Sequence, residues 1–252
     1  MIINKAAALS GKDVLAENCT KRVRVFFAGQ CVADSRRVRL LHERGHLPVY
    51  YFPLEDVRSE FLISSDRTTR CPRKGKARYW SVWAGERLAE AALWNYPQPL
   101  QGCPDIGKLA AFDWNSMDAW FEEDEQVFVH PRDPYSRIDV LQGSRHVEVR
   151  LGGVSVADSR RPVLLFETGL PVRYYLPKLD VRMALLHPTD TITACPYKGA
   201  TSRYWTVEAG GKKVEDAAWC YEQPKPEAMA IAGEIAFYGE KMELVVDGER
   251  SP

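Results

Sequence analysis

Apolar and polar residues alternate in short runs along this chain, and the runs come in two matching sets. Val23, Val25 and Phe27 alternate with Arg22, Arg24 and Phe26, and Val147, Val149 and Leu151 alternate with Glu148 and Arg150. A period of two is the mark of a strand with one face buried. PVYYFP and RYYLP predict short strands closed by proline, and RYWSVWAG and RYWTVEAG predict strands ending in glycine-containing turns. EIAFYGEKMELVVDGE reads as a hairpin with Gly239 and Glu240 in its turn. Asp56 and Asp180, each just ahead of an apolar run, predict N-caps for one or two helical turns. Strands broken by turns about every eight to twelve residues predict a mainly β, β-rich α+β chain built as small sandwiches or barrels.

The two sets are copies of one domain. VADSRR begins at Val32 and recurs letter for letter at Val156. TRCPRKGKARYWSV matches TACPYKGATSRYWTV, AALWNYPQP matches AAWCYEQPKP, and IGKLAAFDW matches IAGEIAFYG, with only short slips in register. A repeat of roughly 100 residues is a duplicated domain and not a solenoid of short units. The resulting division is an N-terminal arm over 1–20, a first domain over 21–126, a linker over 127–144 and a second domain over 145–252. The linker contains HPRDPYSRIDVLQGS, rich in turn-formers. The acidic run FEEDEQ just before it predicts a solvated face or loop. The two copies could also pack as a pseudo-symmetric pair within the chain.

Composition narrows the function classes. The chain has 252 residues, 45% hydrophobic and 27% charged, which is globular composition. Its 34 basic residues balance its 34 acidic ones, so it lacks the basic excess of a protein that binds nucleic acid through phosphates. No apolar run reaches the length of a membrane span, and the first residues lack a secretory pattern. Six cysteines without a CxxC pair indicate neither a zinc ribbon nor a disulfide framework. The expectation is a cytoplasmic protein with reduced thiols, no metal and no cofactor, and a small molecule as partner.

VADSRR, YYLPKLDVR, CPYKG, RYWTV, AAWCY and IAFYGE, in that order, resemble the domain of unknown function 427 (DUF427) family, and the HPRDPYSRIDVL connector resembles its tandem bacterial members. The resemblance covers nearly the whole chain beyond residue 20. It implies a small tent-like β fold, comparable to domains that hold ligands in aromatic pockets. Several of those contain zinc, which does not carry over without the paired cysteines. A nucleotidyltransferase-like label attached to the family implies a Gly-Ser turn followed by paired acids that hold metal ions. This chain has no such arrangement: Asp34 and Asp158 each stand alone beside arginine, which suits a salt bridge better than a magnesium site.

Three groups of residues are candidates for chemistry. In the turns CPRKG and CPYKG, Lys74 and Lys198 could hold an anionic ligand group or activate Cys71 and Cys195 as nucleophiles, against the plain alternative of a buried thiol and a solvated lysine. In VADSRR, Arg36 and Arg160 could fork onto a carboxylate or phosphate with Asp34 and Asp158 fixing them, although short polar residues also shape strand ends. Glu43 and Glu167, at the ends of apolar strands, could be general bases of raised pKa or could pair with Arg58 and Arg182. The aromatics Tyr50, Tyr51, Tyr79, Trp80, Trp94 and Tyr96, with Tyr174, Tyr175, Tyr204, Trp205, Trp219 and Tyr221 in the second copy, form core or an aromatic cage, with Tyr51, Trp80, Trp94 and Tyr96 and their counterparts Tyr175, Trp205, Trp219 and Tyr221 as the site candidates. Trp94 and Tyr96, two apart on an extended segment, point to one side. These groups are expected to converge on one cleft per domain, with the second copy the cleaner. The leading reading is a duplicated domain that binds an anionic ligand with a planar or apolar portion. The alternatives are a small-molecule enzyme built on the Cys-Pro-x-Lys-Gly turn and a non-catalytic scaffold.

Overall fold

The doubled apolar letters of the sequence, such as LL and YY, make sense once the strands that carry them are seen to bury both of their faces. A computed structural model describes residues 11–251. It divides into two units that part between Tyr135 and Ser136. Both are mainly β.

The first unit holds β1 (Val14–Asn18), β2 (Val23–Phe27), β3 (Gln30–Ser35), β4 (Arg39–Glu43), β5 (Val49–Pro53), β6 (Leu62–Cys71), β7 (Gly75–Ala84), β8 (Arg87–Asn95), β9 (Leu109–Phe112), β10 (Ala119–Glu122) and β11 (Glu125–Val127). Seven of these form one antiparallel sheet in the order β1-β4-β5-β9-β8-β7-β6, and four form another in the order β11-β10-β2-β3. Val23, Val25, Phe27, Val32 and Trp120 of the smaller sheet pack in one core with Leu40, Tyr50, Phe52, Leu93 and Phe112 of the larger. Successive side chains on a strand point to opposite faces. Leu41, Tyr51, Tyr96 and Ala111 therefore lie on the far side of the larger sheet, in a second cluster with Tyr79 and Trp94.

The second unit repeats this plan with β12 (Ile138–Gln142), β13 (Val147–Leu151), β14 (Val154–Ser159), β15 (Val163–Glu167), β16 (Arg173–Leu176), β17 (Leu186–Thr189), β18 (Ala194–Cys195), β19 (Gly199–Ala200), β20 (Arg203–Ala209), β21 (Lys212–Cys220), β22 (Ile235–Phe237), β23 (Glu243–Val246) and β24 (Glu249–Arg250). Its large sheet runs β12-β15-β16-β22-β21-β20-β17, its small one β14-β13-β23-β24, and β18 pairs with β19. Tyr174, Trp205 and Phe237 enter the inner core. Tyr175, Tyr204, Trp219 and Tyr221 form the outer cluster.

Several expectations are corrected. Residues 14–18, expected within an arm, form edge strand β1 on β4, and residues 138–142, expected within the linker, form the equivalent β12 on β15. Neither VLAEN nor IDVLQ alternates cleanly, because an edge strand needs only its backbone to pair. The part of the arm over 1–10 lies outside the described residues. EIAFYGEKMELVVDGE is not a hairpin: β22 joins the large sheet and β23 the small one, so the segment crosses between layers. Asp56 and Asp180 end the short 3-10 turns Leu54–Asp56 and Lys178–Asp180 and do not open a helix. In FEEDEQ, Glu122 is buried, accepting from the Tyr50 hydroxyl and from Lys21. No helix among the described residues is long and apolar enough to cross a membrane.

Candidate functional site

The outer face of each large sheet carries the candidate chemistry. In the first unit β4, β5, β7 and β8 bring Glu43, Tyr51, Tyr79, Trp94 and Tyr96 to one face. The Cys-Pro-Arg-Lys-Gly turn between β6 and β7 folds Cys71, Arg73 and Lys74 against them. Gly75 makes the turn possible. It sits at φ +106°, and a Cβ there would meet the Gln98 carbonyl at 3.1 Å. The cleft measures about 890 Å³.

Its floor is an ion pair. Lys74 and Glu43 are both buried and bonded to each other, with Arg73 Nη1 3.3 Å from Glu43 Oε1 and donating to the Arg44 carbonyl at 2.8 Å. The expected partner of Glu43 was Arg58; the turn lysine takes that place. Burial alone would raise the Glu43 carboxyl, but the hydrogen bond and charge of Lys74, with His46 and Arg73 adding, hold it below the usual carboxylate range. That direction is opposite to the one a general base of raised pKa would need. The Cys71 thiol stands 3.8 Å from Glu43 Oε1. Above the floor, Trp94 Nε1 donates to the Tyr51 hydroxyl at 3.3 Å. Burial pushes the phenols of Tyr51 and Tyr96 up, so both remain protonated donors at neutral pH. Arg67 rides over the Tyr79 ring at 4.9 Å. Glu90 and Asp113 also line the cleft.

The second unit has the same floor, with Lys198 Nζ 2.5 Å from Glu167 Oε2, again in place of the expected Arg182. Tyr175, Tyr204, Trp219 and Tyr221 line it, and Cys195 lies half-buried on β18, close enough to raise the Tyr175 and Tyr221 phenols further once burial has done so. This cleft measures only about 180 Å³. Two positions account for the difference. Register aligns Val49, opposite Leu41, with Arg173, opposite Leu165. Asp113 and Tyr238 each follow the last residue of the equivalent strands β9 and β22. Arg173 pairs with Glu240 at 2.6 and 2.8 Å and stacks over Trp219 and Tyr238, while Tyr238 packs on Trp219 with ring centroids 4.2 Å apart. Trp219 is 5% exposed, whereas Trp94 is half-buried. Arg173 and Tyr238 were missed as site residues, and the choice within the aromatic set fell on Trp80 and Trp205 in place of Tyr79 and Tyr204. The signal for the last two was parity: when Tyr51 faces the cleft across these pleated strands, Tyr79 and not its neighbour Trp80 does so too.

The remaining candidates lie elsewhere. Trp80 and Trp205 pack in the inner cores. VADSRR ends a strand of the small sheet and does not reach the cleft. Asp34 pairs bidentately with Arg22, just ahead of β2, and Asp158 Oδ1 lies 2.8 Å from His146 Nε2. Arg36 and Arg160 are exposed, the latter 3.5 Å from His146 Nδ1. The recurring stretch is a latch. Ser35 donates to Asp56 at 2.6 Å and accepts from the Arg37 amide at 3.0 Å, and Arg37 reaches Asp56 at 2.5 Å. Ser159, Asp180 and Arg161 repeat the arrangement at 2.7 and 3.0 Å. In both units the latch ties a 3-10 turn to the end of a strand.

A family model described as a domain of unknown function (DUF427) matches the chain twice, over residues 15–123 and 139–248. The chain belongs to that family, in tandem. Both matches begin at or next to the edge strands β1 and β12. A search of curated proteins finds no match.

Proposed function

We propose that this tandem DUF427 chain binds a small molecule in the aromatic cleft of its first unit, and that the ligand carries an anionic group and a planar or apolar portion. The observation that carries the reading is the composition of the open cleft. At its floor two cations, Lys74 and Arg73, face one carboxylate, Glu43, in a cleft also lined by the half-buried rings of Tyr79 and Trp94. The surplus positive charge, set in a partly desolvated pocket, favours a carboxylate or phosphate, with Arg73 able to donate in a fork. The rings offer flat apolar area and cost a ligand little ordering. Binding is favoured over turnover because a carboxylate held below its usual range by hydrogen-bonded neighbours is a weak base for Cys71.

Calorimetric titration with a panel of aromatic carboxylates and nucleoside phosphates tests this. A binder should emerge from the panel and weaken at least about tenfold in Arg73→Ala and in Trp94→Ala, the loss expected for one charge-assisted bond or one stacked ring. Affinity unchanged in both variants, or no binder across the panel, would sink the proposal.

A further inference from the structure

The second cleft already holds an occupant, and it is part of the chain. The Arg173 guanidinium lies 5.9 Å from the Trp219 ring centroid and 5.6 Å from that of Tyr238, with both terminal nitrogens on the Glu240 carboxylate. A planar cation over an indole, closed by a carboxylate, is a complete recognition site for a guanidinium group. The first cleft keeps the indole, Trp94, in the same register, since Trp94 pairs with Ala111 as Trp219 pairs with Ala236. It lacks the occupant: Val49 stands in place of Arg173, and Asp113 in place of Tyr238. A carboxylate thus enters at the position from which a cover is withdrawn.

We propose that Trp94 and Asp113 form a cation subsite in the first cleft, which takes a guanidinium or ammonium group of the ligand where the second cleft seats its own Arg173. This rests on the reading of the first cleft as a ligand site and adds a second charge to the ligand, which becomes a zwitterion with its anion at Lys74 and Arg73. Three observations support the placement. Among the described residues no cation stands over Trp94, whereas Tyr79 beside it is already covered by Arg67. Asp113 is half-buried, and the Ser116 amide and hydroxyl both donate to its Oδ2, at 2.9 and 2.6 Å, which fixes the carboxylate and leaves Oδ1 for a ligand. Glu90 lines the same cleft and adds a second negative charge. The first cleft therefore offers the carboxylates Asp113 and Glu90 as well as the cations Lys74 and Arg73.

Calorimetry on the full chain with arginine, agmatine and citrulline separates the charges. Agmatine keeps the guanidinium without the carboxylate, and citrulline keeps the carboxylate with a neutral group of the same shape. Arginine should bind once per chain, agmatine measurably but more weakly, and citrulline at least about tenfold more weakly than arginine. Asp113→Asn should remove the preference for arginine over citrulline. Val49→Arg, which brings the second unit's occupant into the first cleft, should weaken arginine at least about tenfold. The comparison of probes on the unaltered chain needs no variant to fold. Equal affinity for arginine and citrulline, or no heat from either arginine or agmatine, overturns the cation subsite. If aromatic carboxylates still bind in that case, the proposal of an anion site stands; if nothing anionic binds, that proposal falls as well.

Discussion

Replacing Lys74 with methionine keeps most of the side-chain volume and removes the cation beneath Glu43. Both partners are close to nine-tenths buried, so the carboxylate left behind is largely desolvated. Breaking a buried pair from one side costs about 3–5 kcal/mol. Arg73, a third exposed and 3.3 Å from the same carboxylate, recovers part of that, which leaves about 2–3 kcal/mol. Hydrogen exchange read on the peptides covering β4 and β7 measures the loss locally, without requiring the chain to unfold in one step. At 1.4 kcal/mol per factor of ten, protection of these amides should fall about 30- to 150-fold at pH 7. The pH dependence has a defined sign. The folded Glu43 carboxyl lies below its unfolded value, so the pair's contribution is present above the unfolded carboxylate pKa of about 4.3 and is lost as pH falls through the folded one. The gap between parent and variant should therefore be full at neutral pH, shrink as pH falls below the unfolded value of about 4.3, and close once the folded carboxyl is protonated. Adding Glu43→Gln to Lys74→Met should restore protection, because no uncompensated charge then remains. A loss under about threefold at pH 7, or a double variant no better protected than the single, would refute the ion pair as a source of stability.

Ser35→Ala removes the centre of the latch and strands the Arg37 amide, which should cost about 1–2 kcal/mol and appear as a lower melting temperature with the cleft residues unchanged. Gly210→Ala should be far worse than Gly85→Ala although both glycines sit at φ +56°, since a Cβ at Gly210 would lie 2.3 Å from the Gly152 carbonyl and one at Gly85 only 3.8 Å from the Ala28 Cβ. Scanning calorimetry should give about 2–3 kcal/mol for the first and about 1 for the second. Arg173→Val combined with Tyr238→Asp copies the first cleft into the second. It should raise the binding stoichiometry of any first-cleft ligand from one to two per chain, and a stoichiometry that stays at one would show that the plug is not what closes that cleft.

Much of this was legible in the chain, and what was not has identifiable physical reasons. Duplication could be read letter by letter, and the mainly β class followed from period-two alternation. Lys74, Glu43, Tyr51, Trp94 and Tyr96 were identified as candidates and do meet in one cleft. VADSRR misled because exact recurrence reports any shared constraint, and here the constraint is a buried serine tying a turn to a strand end. Trp80 misled because composition alone cannot assign parity to a doublet. Edge strands β1 and β12 were invisible because backbone pairing, unlike core packing, imposes little pattern on side chains.

What the sequence determined by itself is local and periodic: which residues alternate, which turns need glycine, and that one plan is used twice. The tertiary structure decided which member of each aromatic pair turns outward, because that depends on which face the small sheet covers. It decided that Glu43 meets Lys74 across 31 positions and not Arg58, because antiparallel pairing brings distant turns together. It also decided that the second copy, cleaner by its letters, is the closed one. Two substitutions far apart in the chain, Val49 to Arg173 and Asp113 to Tyr238, act on one volume only once the sheet has placed them side by side.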